Sequence, residues 1–238
     1  MIRTRILLVT IAAVAPLSAM AQWSDNFDSY ATGSQLHGQG GWKGWFNDPN
    51  AGAMTSNAQA LSAPNSVDIL GGSDLVREYI ISGGVWTYSG SVFVPTAHTG
   101  TSFFILMSNY SDAGTNMHWS VQMTLNSTTG MVGDNSANGG TATPVPLVKG
   151  QWVPFSVDID LVADTKVVRY NSQQVIASRW RDVAGGTTGA TLSLGAVDLF
   201  ANGTSSVFYD NLNVVPEPAT VAALGLGLAA LLRRRRKK

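Results

Sequence analysis

Apolar and polar residues alternate with a period of two through much of the middle of this chain. Trp119, Val121, Met123 and Leu125 are apolar, and His118, Ser120, Gln122 and Thr124 between them are polar. Successive side chains of an extended backbone point to opposite faces, so this alternation predicts a half-buried strand. Val153, Phe155, Val157, Ile159 and Leu161 alternate in the same way with Pro154, Ser156, Asp158 and Asp160, and Ala163-Asp164-Thr165 predicts the turn that follows. Shorter strands are predicted over 66–69, 75–81, 86–94, 166–170, 174–177, 191–200 and 206–214. Residues 103–107 are apolar without a break, which predicts a strand buried on both faces. Residues 133–143 read as a polar loop rich in Gly and Asn. No segment has the 3.6-residue recurrence of an amphipathic helix. Many short strands between Gly, Asn, Ser and Asp turns predict an all-β fold, an antiparallel β-sandwich or jelly roll.

Both ends break this pattern. Arg3 and Arg5 precede an apolar stretch over 6–14, and Ala19-Met20-Ala21 supplies the small residues of an A-x-A cleavage site, the layout of a secretory signal peptide over 1–21. The expected handlers are the secretion translocon and signal peptidase, with cleavage at Ala19 and Ala21 leaving Gln22 first. At the other end stand Pro216, Glu217 and Pro218, an uncharged apolar run over 219–232, and the cations Arg233, Arg234, Arg235, Arg236, Lys237 and Lys238. That run makes a helix of roughly 21 Å against a hydrocarbon core of about 30 Å, a short transmembrane helix. The terminal cations form a membrane stop that resists translocation, so the residues before it face outward. The domain plan is a signal peptide (1–21), a folded domain (22–213) and a sorting segment (214–238).

Composition changes one part of this picture. The formal net charge is zero, but residues 22–213 hold seven Lys and Arg against fourteen Asp and Glu, a balance of −7. An acidic domain argues against nucleic acid as a partner. The chain has no cysteine, which excludes disulfides, thiolate metal sites and a cysteine nucleophile.

The tail, with its Pro216-Glu217-Pro218, apolar run and basic end in that order, resembles the PEP-CTERM signal of bacterial exosortase substrates. The resemblance implies processing by an exosortase near that motif, transient anchoring in the inner membrane, and delivery to the cell surface or extracellular space, in a setting of exopolysaccharide and biofilm. The domain carries a second resemblance. Phe27-Asp28-Ser29-Tyr30, Gly33, Leu36 and Gly38-Gln39-Gly40-Gly41-Trp42 at its start, and Gln151-Trp152, 168–171 and Phe208-Tyr209-Asp210-Asn211-Leu212 toward its end, resemble concanavalin A-like lectin/glucanase (laminin-G-like) domains. A fold of this kind hosts several functions, so function has to come from a site.

Glucanases of that superfamily use E-x-D-x-x-E on one strand, because a retaining glycosidase needs an acid and a nucleophile about 5 Å apart. This chain has two glutamates in all, Glu78 and Glu217, so the motif is absent and a non-enzymatic domain is expected. The alternative enzyme would use Asp158 and Asp160, which share one strand face, although that face is the polar one. His37, His98 and His118 are scattered, and no Gly-x-Ser-x-Gly is present. Sugars bind where an aromatic face covers the ring and Asn, Asp or Gln meets the hydroxyls. Trp42, Trp45, Phe46, Asn47 and Asp48 gather such groups in one stretch and are the expected glycan contacts. Trp42 and Trp45 could instead plug one end of the sandwich, the more ordinary role. Asp48, Asn50 and Asp210 are candidate oxygen ligands for calcium, without a regular loop motif; no other cofactor is implied. Trp180, between Arg179 and Arg181, could stack with a guanidinium, but is expected rather as a half-buried strand residue. The readings that follow are a carbohydrate-binding or adhesive module, a glycan-cleaving jelly roll, or a purely structural surface protein.

Overall fold

The computed structural model describes residues 22–136 and 142–217. Its strands are β1 (Trp23–Asp25), β2 (Trp42–Gly44), β3 (Met54–Ser56), β4 (Ser66–Ile69), β5 (Asp74–Ser82), β6 (Val85–Phe93), β7 (Thr101–Asn109), β8 (His118–Asn126), β9 (Met131–Asp134), β10 (Val145–Pro146), β11 (Trp152–Asp160), β12 (Thr165–Tyr170), β13 (Gln173–Ser178), β14 (Ser193–Ala201) and β15 (Val207–Pro216). All the pairings are antiparallel and make two sheets. One runs β13-β12-β11-β6-β15-β4-β3, with β1 also on β15; the other runs β10-β9-β8-β7-β14-β5-β2. The chain therefore forms the expected all-β antiparallel sandwich. Among the described residues, helix is confined to 3₁₀ turns at Trp45–Asn47, Pro49–Ala51 and Ala184–Gly186, and no helix there is long and apolar enough to cross a membrane. The expected signal peptide with Ala19 and Ala21, Pro218, the transmembrane run over 219–232 and the cations Arg233 to Lys238 lie outside the described residues.

The period-two pattern builds the core between the sheets. Val153, Phe155, Val157 and Ile159 all point inward from β11 and are buried. Phe104 on β7 crosses from the other sheet to meet Phe155 with ring centroids 4.5 Å apart, and Tyr88 and Tyr209 close around the pair. At this centre β6 needs a glycine: a Cβ on Gly90 would lie 2.4 Å from the Leu212 side chain and 2.9 Å from that of Phe155. The opening motif is a staple for the same core. Asp25 accepts hydrogen bonds from the Phe27 amide (2.8 Å), the Tyr30 hydroxyl (2.7 Å) and the Trp42 indole (2.9 Å). Gly40, at φ 57°, lets the chain pass so close that a Cβ there would sit 1.9 Å from the Tyr30 hydroxyl.

Four features depart from the sequence pattern. Register skips Ser120, so that Leu106 pairs with Val121 but Met107 pairs with Trp119. This β-bulge turns Trp119 away from the core that holds Val121 and onto the outer face. Trp180 is not a half-buried strand residue: it is fully buried after β13 and donates its indole N–H to the Ser193 carbonyl at 3.0 Å. Its neighbours Arg179 and Arg181 both bond Asp164 instead. Those two bonds outweigh burial and hold the Asp164 carboxyl below its usual range. Lys166 occupies an inward position of β12, where its ammonium donates to the Ser120 carbonyl, the Ser136 hydroxyl (2.9 Å) and the Asp182 carbonyl (2.6 Å). Finally, β15 runs past the expected boundary at Asn213 as far as Pro216, and one compact body extends to Glu217.

Candidate functional site: the outer face of the seven-stranded sheet

β7 and β14 lie side by side within the second sheet, and their outward positions are apolar where a solvated face would be polar. Val76, Ile105, Met107 and Ala196 make a small second core there, with Phe103, Phe200, Trp45, Tyr110, Met117 and Trp119 packed over it and partly exposed. Phe103 and Phe200 stack at 5.5 Å and 24°. Trp45 stacks on Trp119 at 6.4 Å and 19°, and meets Tyr110 edge-on at 5.1 Å.

The shelf that carries Trp45 follows from local chain geometry. Edge strand β2 ends at Gly44, and the chain then turns through Phe46 (φ 56°) and Asn47 (φ 60°) in the left-handed region. For residues other than glycine that conformation costs on the order of 1–3 kcal/mol each, and it persists only where neighbours enforce it. Here the enforcing bond is from the Phe46 amide to the Tyr110 hydroxyl (3.0 Å), and that hydroxyl in turn donates to Asp112 (2.9 Å). The turn leaves Phe46 48 % exposed beside Trp45.

A charged rim borders the shelf. Lys43 bonds both Glu78 and Asp112 and sits 5.1 Å from the Tyr110 ring centroid. Burial pulls the Lys43 ammonium down, but the two carboxylates outweigh it and the net shift is upward. Burial pushes the Asp112 carboxyl up, and the bonds from Lys43 and Tyr110 outweigh that and bring it below its usual range. Both groups are therefore charged at neutral pH. Farther along the face, Asp74 and Asp198 are diagonal neighbours on β5 and β14, beside the Phe103–Phe200 stack. Burial pushes both carboxyls up, Asp198 well above its usual range with the Asp74 charge adding to the effect. Asp198 is 2 % exposed, so a ligand lying on this face would reach Asp74 and not Asp198.

Of the residues the sequence singled out, Trp45 and Phe46 lie on this face and Asn47 is exposed next to them. Trp42 is not available as a contact. It is 1 % exposed, packs on Phe27 and Trp23, and spends its indole N–H on Asp25. Asp48 folds its own loop by accepting from the Asn50 amide (2.8 Å) and side chain (2.9 Å). Asp210 is buried and its carboxylate is taken by the amides of Leu61, Ser62 and Asn211 and the Ser62 hydroxyl, so it is no free calcium ligand. Among the described residues no three of His, Asp or Glu converge as a metal site requires. The pair Asp158 and Asp160 is also engaged: Asp158 with Arg169 and the Thr87 hydroxyl, Asp160 with the amides of Val162 and Ala163. The pattern missed Trp119, Tyr110, Asp112 and the Phe103–Phe200 stack. Only the unbroken apolar run over 103–107 signalled that this strand has two faces to cover.

Many solved structures share the fold, three of them as follows. An endo-1,3-beta-glucanase from Streptomyces sioyaensis is 12% identical, over 86% of this chain and 98% of that one, with a TM-score of 0.55. The cellulose induced protein Cip1 is 12% identical over 82% and 97%, at 0.52. A sialidase is 8% identical over 84% of this chain, at 0.53, but the chain spans only 19% of that protein's length. At such identities the likeness shows the jelly-roll fold alone. No curated protein sequence matches the chain. Residues 214–237 match the PEP-CTERM protein-sorting motif.

The chain carries a PEP-CTERM sorting signal. It is thereby marked as an exported, envelope-targeted protein, handled by the secretion machinery and an exosortase. Of the PEP-CTERM residues, Pro216 closes β15 and Glu217 follows it on the surface of the sheet.

Proposed function

We propose that this is a surface or matrix protein whose jelly roll binds carbohydrate, without cleaving it, on the outer face of the seven-stranded sheet, and that its partner is the exopolysaccharide of the cell that exports it, in a biofilm setting. The observation that carries the reading is the Trp45–Trp119 stack with Phe46 exposed beside it. Sugar rings present C–H groups on one side and hydroxyls around the edge. Aromatic faces suit the first, and a rim of fixed charges such as Lys43, Glu78 and Asp112 suits the second. A strained turn that holds an aromatic in solvent supports a binding role better than a packing one. The lack of E-x-D-x-x-E, together with the structural engagement of Asp158 and Asp160, favours binding over hydrolysis.

The test incubates the exported protein with its host's polysaccharide and assays retention and new reducing ends in the same tubes. The expected outcome is retention without new reducing ends, weakened roughly tenfold by Trp45→Ala or Trp119→Ala, by analogy with base–aromatic stacking, which is worth about 1–3 kcal/mol per ring. New reducing ends would make the protein a hydrolase. Neither signal would leave a structural surface protein.

A further inference from the structure

The sorting motif begins inside the fold. The end of β15 is paired on one side with β6, through Asn213 with Ser89, Val214 with Tyr88, Val215 with Thr87 and Pro216 with Trp86. On its other side Val214 pairs with Trp23 of β1, and the Gln22 amide donates to the Val214 carbonyl at 2.9 Å. Beyond Pro216 the ladder continues by one residue, since the Glu217 amide donates to the Val85 carbonyl at 2.8 Å. The Glu217 side chain is held as well: the Thr87 hydroxyl lies 2.9 Å from its carboxylate and 3.2 Å from Asp158. One hydroxyl proton serves one of them at a time, and Glu217 is nearer. Asp158 has Arg169 in any case.

A protease has to reach the carbonyl and the nitrogen of the bond it cuts, and a bond held in a sheet ladder does not offer them in the extended form it binds. As far as the Glu217 amide those groups are committed to the sheet, and the Val214 side chain is buried in the core. Cutting at Val214, Val215 or Pro216 would require peeling β15 away from β6, and at its inner end from β1. We propose that the peptide bond processed in this protein is Glu217–Pro218 or one C-terminal to it, so that Pro216 and Glu217 remain with the domain as a latched strand end. Water is the acceptor: it gives a hydroxyl to the acyl carbon, which becomes the new C-terminal carboxyl, and a proton to the nitrogen of the departing segment. The fold then survives the cut whole.

The test needs no variant to begin with. The processed protein is recovered from its own host, and its C-terminus is read by intact mass and by the mass of its C-terminal peptide. The expected terminus is Glu217 or a later residue; a terminus at Pro216 or earlier overturns the proposal. In the processed protein the Glu217 amide is expected to exchange with deuterium more slowly than in a free peptide of the same sequence. Thr87→Val, which keeps the volume and removes the hydroxyl, is expected to speed that exchange about fivefold, the worth of one hydrogen bond. Exchange at the free-peptide rate in the unsubstituted protein would remove the latch and with it the reason for the cut position.

Discussion

Lys166 gives this fold a dependence on pH that can be predicted with its sign. Its ammonium is 1 % exposed and shares the interior with three oxygen acceptors. Burial pulls its pKa down to about 8, against the opposing pull of Asp134, Asp182 and Asp164. In the unfolded chain the same proton is held to about pH 10.4. Between those values the unfolded state binds more protons than the folded one, so stability rises with pH. From about pH 8 to about pH 9.5 the rise amounts to roughly 2 kcal/mol, at about 1.36 kcal/mol per pH unit. Above about pH 10 the direction reverses, because unfolded tyrosines ionise there while burial holds Tyr79, Tyr88 and Tyr209 protonated in the folded state. The assay is urea unfolding followed by tryptophan fluorescence across this range, with the slope m checked for constancy. Lys166→Met keeps the length of the side chain and removes the charge. It is expected to abolish the rise between about pH 8 and about pH 9.5 and to leave the fall above about pH 10. A flat unsubstituted protein over that interval, or parallel curves for the two proteins, would refute the reasoning.

Three further outcomes are expected. Asp25→Ala leaves the Trp42 indole, the Tyr30 hydroxyl and the Phe27 amide without their acceptor; a loss of about 3 kcal/mol or more in urea unfolding follows, and a loss below about 1 kcal/mol would mean that the staple is not the organiser of this end. Gly40→Ala places a Cβ against the Tyr30 hydroxyl at a positive φ, and should cost about 1–3 kcal/mol in the same assay. Asp198→Asn should raise the melting temperature by a few degrees at neutral pH. Burial pushes that carboxyl well above its usual range in the folded chain, whereas the unfolded chain ionises above about pH 4, so the cost of Asp198 grows as pH rises through that value. The advantage of the asparagine should fade in melts below about pH 4.

The strands of the interior were legible because burial on one face writes itself as a period of two: residues 153–161 and 121–125 needed nothing more. The jelly roll was legible from strand number, turn chemistry and the absence of helical periodicity. The short edge strands β1, β2, β3 and β10 were not, since two or three residues carry no period at all. The candidate site was legible in half. Trp45 and Phe46 stood out as aromatics among glycines, but Trp42 in the same stretch belongs to the core, because Asp25, seventeen positions earlier, takes its indole hydrogen.

What the sequence determined by itself was local and terminal: the alternation that makes strands, the sorting signal at the C-terminal end, the acidic balance of residues 22–213, and the absence of a glucanase motif. The tertiary structure decided which residues meet. One skipped residue at Ser120 carries Trp119 to the outer face and under Trp45. Pairing across more than a hundred positions carries the first two residues of the sorting motif into the sheet beside Val85 and Thr87. Neither is readable along the chain, because register and long-range pairing are fixed by the packing of whole sheets and leave no periodic trace in the residues they bring together.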